Sequence, residues 1–272
     1  MGKIFDAMER RKRDKVINID RHNKKLPEIL LNRDRETEFA KRFCTLNDCS
    51  PNLVVLSAPE SVETENFKVL RTKILFSRDR ERPRTILITS AFPQEGKTFV
   101  ASNLAVSIAL GIDEHVLLVD CDLRRPSLDR MFGYENAEGL HEFLIGQRQL
   151  PDLLLRTEIE KLSLLPAGDI PPNPSELLSS SAMEAFLQEI RERYQDRIIL
   201  LDSAPSQITA EPKILSKYVD GIILVIRNQK ASRHAVKKTV HDLGSDKILG
   251  VVYNAYDRAA KAYKSYYRSY YK

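Results

Sequence analysis

Six short runs of consecutive apolar residues, set apart by stretches of helical spacing, most narrowly limit the folds open to this chain. They are Ile86–Ile88, Val116–Val119, Leu162–Leu165, Ile198–Leu201, Ile222–Ile226 and Ile248–Val252. A strand with one wet face alternates apolar and polar residues, so unbroken runs mark strands buried on both faces, as in a parallel sheet covered by helices. Helices are expected over Thr98–Leu110, Ser175–Tyr194 and Arg233–Leu243, the second entered through Pro171, Pro172 and Pro174. An earlier helix within 61–77 carries Phe67, Leu70, Ile74 and Leu75 at helical spacing and precedes the first strand. The expected class is α/β: a doubly wound, mostly parallel sheet.

The chain divides into a basic, poorly ordered arm (1–50), the α/β body (51–252) and a tyrosine-rich tail (253–272). With 42% hydrophobic and 30% charged residues, the body can bury a sizeable core. Residues 1–25 carry nine Lys or Arg against four acidic groups, and residues 253–272 carry five against one. The net charge of +5 therefore sits on the two ends, and the remainder is about −4. Basic ends on an acidic body suggest tails that meet something anionic or solvate themselves, rather than a basic surface for nucleic acid, and no nucleic acid is expected as a partner. Cys44, Cys49 and Cys121 form neither a disulfide framework nor paired CxxC units, which fits a reducing compartment. The charged N-terminus lacks an apolar signal core, and the longest apolar candidate, Phe99–Leu110, is too short for a membrane span. Gly2 is not followed by the Ser or Thr that myristoylation wants, because position 6 is Asp6. The expected location is cytoplasmic, so any work at a membrane needs another protein to hold the chain there.

The sharpest local signal is Ala91-Phe92-Pro93-Gln94-Glu95-Gly96-Lys97-Thr98, between the first strand and a helix. Backbone amides of such a loop converge at a helix N-terminus, where aligned peptide dipoles favour phosphate. Lys97 would reach the β- and γ-phosphates of ATP and Thr98 would ligate Mg²⁺. Pro93, Gln94, Glu95, Gly96 and Phe99 are the other candidate nucleotide contacts, and Ala91 stands where the first glycine of the pattern is expected. A second strand ends in Asp120-Cys121-Asp122-Leu123-Arg124, and a third in Asp202. Carboxylates at the carboxyl edge of an open α/β sheet face the ligand, where they hold Mg²⁺ or take a proton. One strand-terminal Asp is often only a turn residue; three behind a phosphate loop argue for chemistry.

Seven of the ten tyrosines lie in the tail. Tyr253 suits core packing at the end of the last strand. Tyr263, Tyr266, Tyr267, Tyr270 and Tyr271 sit among Lys261, Lys264, Arg268 and Lys272 with no apolar companions, so burial does not explain them.

These features in this order resemble the bacterial tyrosine kinases, the autokinases that control capsule and exopolysaccharide assembly. The resemblance runs from about Ser57 to Lys272 and rests on Pro93–Thr98, Asp120–Arg124, Ile199–Asp202 and the tyrosine cluster. Glu65, Lys68 and Arg71 look like that family's subunit-contact helix. The resemblance implies a P-loop NTPase fold, ATP with Mg²⁺ held by Thr98, Asp120 and Asp202, and Asp122 or Asp120 as base. It also implies a homo-oligomer such as a ring, a membrane-embedded polysaccharide co-polymerase as activator, and a tyrosine phosphatase. Arg124 is the candidate for charge developing in transfer. Asn254 resembles a base-contacting position and reads equally as a turn residue. The chain departs from the family at Ser203-Ala204-Pro205 after Asp202, at Gln94 where glycine is common, and at Lys68 in place of an arginine. A partitioning-type ATPase shares the fold, but it normally carries a second lysine where this chain has Phe92. A nucleotide-binding scaffold without transfer activity is a further alternative, and a tail whose interleaved aromatic and basic residues stack on single-stranded nucleic acid or lie on a membrane surface is another.

Overall fold

The computed structural model describes residues 43–44, 48–76 and 81–255; the rest of the N-terminal arm and the tail tyrosines from Tyr256 onward lie outside the described residues. The described strands form one sheet: β1 (Phe43–Cys44), β2 (Thr85–Ser90), β3 (His115–Asp120), β4 (Leu155–Thr157), β5 (Leu162–Leu165), β6 (Arg197–Asp202), β7 (Gly221–Arg227) and β8 (Ile248–Asn254). Their order across the sheet is β1-β4-β5-β3-β6-β2-β7-β8, and every pairing is parallel except β4 with β5.

Each apolar run forms a strand, and the residues of β2, β3 and β6 alternate between two buried layers. By contrast, β8 is an edge strand with Val251 and Tyr253 each 51% exposed, so neither burial on both faces nor core packing of Tyr253 holds there. Ile86, Ile88, Val116, Leu118, Ile198 and Leu200 pack into one cluster, while Leu87, Leu117, Val119, Ile199 and Leu201 pack into the other. That is why the runs are continuous: neither face of the central sheet meets water. The first layer is covered by α1 (Val54–Ser57), α2 (Val62–Leu75) and α3 (Lys97–Ala109). The Ser61 hydroxyl accepts from the Thr64 amide to start α2, with Glu63 and Glu65 in its first turn to complement the dipole.

Short helices α4 (Leu128–Met131), α5 (Leu140–Leu144), α6 (Leu150–Leu153) and α7 (Pro174–Leu178) connect the middle strands. The second layer is covered mainly by α8 (Ser181–Arg193), whose Met183, Phe186, Leu187 and Ile190 are buried. The helix expected over Ser175–Tyr194 is thus two helices. Ser180 interrupts it: its backbone is extended and its hydroxyl accepts from the Met183 amide, so it caps α8 rather than continuing α7. After β6 come α9 (Glu211–Leu215) and α10 (Arg233–Leu243), the latter N-capped by Ser232.

Candidate active site

The three strands that end in chemistry are neighbours in the sheet: β6 lies between β3 and β2, with Asp120 directly opposite Asp202 in the register. The loop after β2 starts α3 at their carboxyl edge. Gly96, at φ +94°, is the N-cap of α3, and Gln94 has φ +61°. The second value explains why glycine suits position 94: a side chain there must tolerate the left-handed region.

The loop is held from below by Glu95, whose side chain is fully buried. It accepts from the Phe92 amide at 2.7 Å and from the Arg227 amide at 3.3 Å. Glu95 therefore shapes the loop, and its carboxylate does not face a nucleotide. The Asn254 side-chain amide donates to the Glu95 carbonyl at 2.9 Å and occupies the space in front of Gly96. Of the other loop candidates, Pro93 is half-buried, Gln94 is exposed and accepts from Lys230 through Oε1, and the ring of Phe99 packs edge-on against Phe67.

Lys97, Thr98 and the aspartates meet. Lys97 Nζ lies 3.1 Å from Asp122 Oδ2, and Thr98 Oγ1 donates to Asp202 Oδ2 at 2.5 Å. Burial works against the ammonium of Lys97, but Asp202, Asp122 and Asp120 outweigh it and raise the group above its ordinary range. Asp120 accepts three backbone amides, from Asp122, Ser127 and Leu128, at 3.0 to 3.1 Å. Burial, with the facing charge of Asp202, still pushes its carboxyl up to about 8. Burial likewise pushes Asp202 up to about 6, against Lys97 and Thr98, which favour its charge. The Cys121 thiol, between Asp120 and Asp122 in sequence, packs in the second apolar layer, where burial holds it well above its usual range, so it is no nucleophile.

Asp202 Oδ1 is buried without a hydrogen-bond partner among the described residues. A buried carboxylate oxygen aimed at no donor, beside two further aspartates and a threonine hydroxyl, suits a divalent cation completed by phosphate oxygens and water. Mg²⁺ binds sites of this kind through one or two protein groups rather than a dedicated cage.

Sequence reasoning did not single out Ser127, Ser175, Glu211 or Arg227. The Ser127 hydroxyl donates to Thr98 at 3.2 Å, joining β3 to α3. Arg124 Nε donates to the buried Glu211 at 2.7 Å and Nη2 donates to Ser175 at 3.1 Å, so the arginine proposed for developing charge is oriented by two other segments. Burial alone would raise the Glu211 carboxyl, but its own amide and the Arg124 guanidinium hold it below the usual range. A lone Glu in the first turn of a five-residue helix carries no signal that would have marked it. In α2, Glu65 pairs with Lys68 at 3.1 Å, while Arg71 Nη1 donates to the Ser107 carbonyl at 2.6 Å, within the same chain.

This sheet, with a phosphate loop at a helix N-terminus and acidic strand ends beside it, defines an α/β P-loop nucleotide-binding protein. No family model matches the chain. Among curated proteins it is 33% identical to tyrosine-protein kinase YwqD of Bacillus subtilis (strain 168), over 79% of this chain and 91% of that one. It is 32% identical to the putative tyrosine-protein kinase CapB of Staphylococcus aureus, over 79% and 92%. The crystal structure of the chimerical protein CapA2B2 superposes with a TM-score of 0.70 at 31% identity, covering 83% of this chain and 99% of that one. The chain belongs to the bacterial tyrosine kinases.

Proposed function

We propose that this protein-tyrosine kinase binds Mg-ATP in the 91–98 loop and phosphorylates Tyr263, Tyr266, Tyr267, Tyr270 and Tyr271 of a neighbouring copy, and that the reaction regulates capsule or exopolysaccharide synthesis and export. The observation that carries the reading is the junction of Lys97, Asp122, Thr98 and Asp202, at which the lysine of the 91–98 loop meets two carboxylates from the carboxyl edge of the sheet. Mg²⁺, held by Thr98 and Asp202 with Asp120 behind them, would neutralise phosphate charge.

The loop amides and Lys97 hold the β- and γ-phosphates. As Lys97 turns from Asp122 to phosphate, Asp122 keeps the Arg125 amide on Oδ1 and its Oδ2 becomes free at the site. Both oxygens of Asp120 are taken by backbone amides, so Asp122 is the better base. It accepts the phenolic proton as the tyrosine oxygen bonds to the γ-phosphorus, the bond to the β–γ bridging oxygen breaks, and ADP leaves. Arg124, oriented by Glu211 and Ser175, serves the charge on the transferring group.

Among the described residues no helix is long and apolar enough to cross a membrane. The proposal includes a separate membrane-embedded co-polymerase as activator, a location at the inner membrane face through that partner, assembly of several copies, and a tyrosine phosphatase that resets the tail. The test is intact mass and peptide mapping after incubation with Mg-ATP and the activator's cytoplasmic segment. Phosphate is expected on the five tail tyrosines of the wild type and is expected to fall at least a hundredfold in Lys97→Met. A wild type that binds ATP yet stays unmodified with the activator present would refute transfer.

A further inference from the structure

The outer face of α10 takes no part in the site just described. Its inner face buries Ala235, Thr239 and Leu243, and Thr239 is hydrogen-bonded to Ser206 and Gln207. The opposite face exposes Arg233, His234, Lys237 and Lys238, and Lys230 is exposed in the preceding loop. From Gly221 to His241 there is no Asp or Glu, although the body as a whole is acidic. Among the described residues no carboxylate pairs with Arg233, Lys237 or Lys238; the first acid on the helix, Asp242, lies beside His241 at 3.5 Å.

The root of the tail is fastened next to this face. The Asn228 amide donates to the Asn254 carbonyl at 2.9 Å, and the Tyr253 hydroxyl donates to Asn228 Oδ1 at 2.6 Å, both on the loop that leads into α10. An extended chain covers about 3.3 Å per residue, so Tyr263 can lie up to roughly 26 Å from Ala255, while α10 is only about 16 Å long. All five tail tyrosines can therefore reach the helix. The unmodified tail carries +4 and is repelled by the basic face. Each phosphotyrosine adds nearly two negative charges, so five would bring the tail to about −6 and supply oxygens that Lys and Arg bind as charge-assisted hydrogen bonds.

We propose that the outer face of α10 is the docking site of the phosphorylated tail. The inference rests on the tail being the kinase's substrate. Transfer converts the tail from a segment that its own body repels into one that folds back on α10, away from a neighbour's active site.

The test uses the full chain, dephosphorylated and checked by mass, with labelled synthetic peptides spanning residues 256–272. The peptides are unmodified or carry phosphotyrosine at 263, 266, 267, 270 and 271, and binding is followed by fluorescence anisotropy. The phosphopeptide is expected to bind at least tenfold more tightly than the unmodified peptide. Arg233→Ala/Lys237→Ala/Lys238→Ala is expected to weaken it at least tenfold, and Lys73→Ala/Arg156→Ala/Arg193→Ala, which removes equal charge elsewhere, less than threefold. Equal loss in both variants, or none in the first, would overturn the proposal. So would failure of the phosphopeptide to bind while phosphatidylserine vesicles sediment the chain through α10, which would make that face a membrane contact. Because the phosphates are synthetic, Lys97→Met is expected to bind like the wild type, and a chain without kinase activity would leave this result standing.

Discussion

Asp202 joins stability to chemistry through its two oxygens: one accepts from Thr98, and the other is buried with no donor. Raised carboxyl pKa values mean that the folded state binds more protons than the unfolded chain between about pH 4 and the folded values near 6 and 8. Stability of the ligand-free protein is therefore complete below about pH 4 with respect to this pair and declines as pH rises from there toward 8. Thermal unfolding across that range should show the fall, and Mg²⁺ with ADP should flatten it. Asp202→Asn removes one buried charge, so its Tm should exceed the wild type's at pH 8 by a few degrees and approach it at or below about pH 4, while tail phosphorylation falls at least a hundredfold. A Tm for Asp202→Asn below the wild type at pH 8 would show that burial of the Asp202 charge is not what limits stability here.

At the scale of elements, the phosphate loop concentrates the sequence's departures and their physical reasons. Gln94 occupies left-handed backbone, so Gln94→Gly should stabilise the protein by about 0.5 to 1 kcal/mol in urea unfolding, less whatever the exposed Lys230 contact contributes. Gly96→Ala should do the reverse, because at φ +94° a Cβ would lie 2.1 Å from Asn254 Nδ2. A loss of roughly 1 to 3 kcal/mol, together with weaker ADP binding in a titration, is expected. The strands and the loop were legible because burial on both faces writes itself as unbroken apolar runs. The break at Ser180 was not, since three serines in a row, Ser179 to Ser181, continue a helical pattern as readily as they cap a new one. β4 was equally hidden: Leu155-Arg156-Thr157 is three residues long and gains its place only by antiparallel pairing with β5. Glu95 was read as a nucleotide contact together with its loop neighbours, and only the fold reveals that its carboxylate turns inward to Phe92 and Arg227.

For the whole molecule, charge segregation sets the expectations. Modification of the tail reverses its sign, so the fully phosphorylated chain should sediment as a smaller species than the unmodified one at equal concentration; an unchanged sedimentation coefficient would show that tail charge does not govern assembly. The proposal that the tail is the substrate starts from composition, since tyrosines among lysines with no apolar companions have no core to enter. The subunit helix was only half legible. Its spacing marked α2, yet Arg71 is spent inside its own chain, on the Ser107 carbonyl near the end of α3. That contact closes an electrical arrangement. The helix α3 is about 20 Å long, with the phosphate cradle at its positive end and a guanidinium at its negative one, so each pole meets the opposite charge. Any neighbour that recruits α2 as an interface must leave that guanidinium where it is, or else strip a carbonyl of its donor and unbalance the pole that lies opposite the nucleotide.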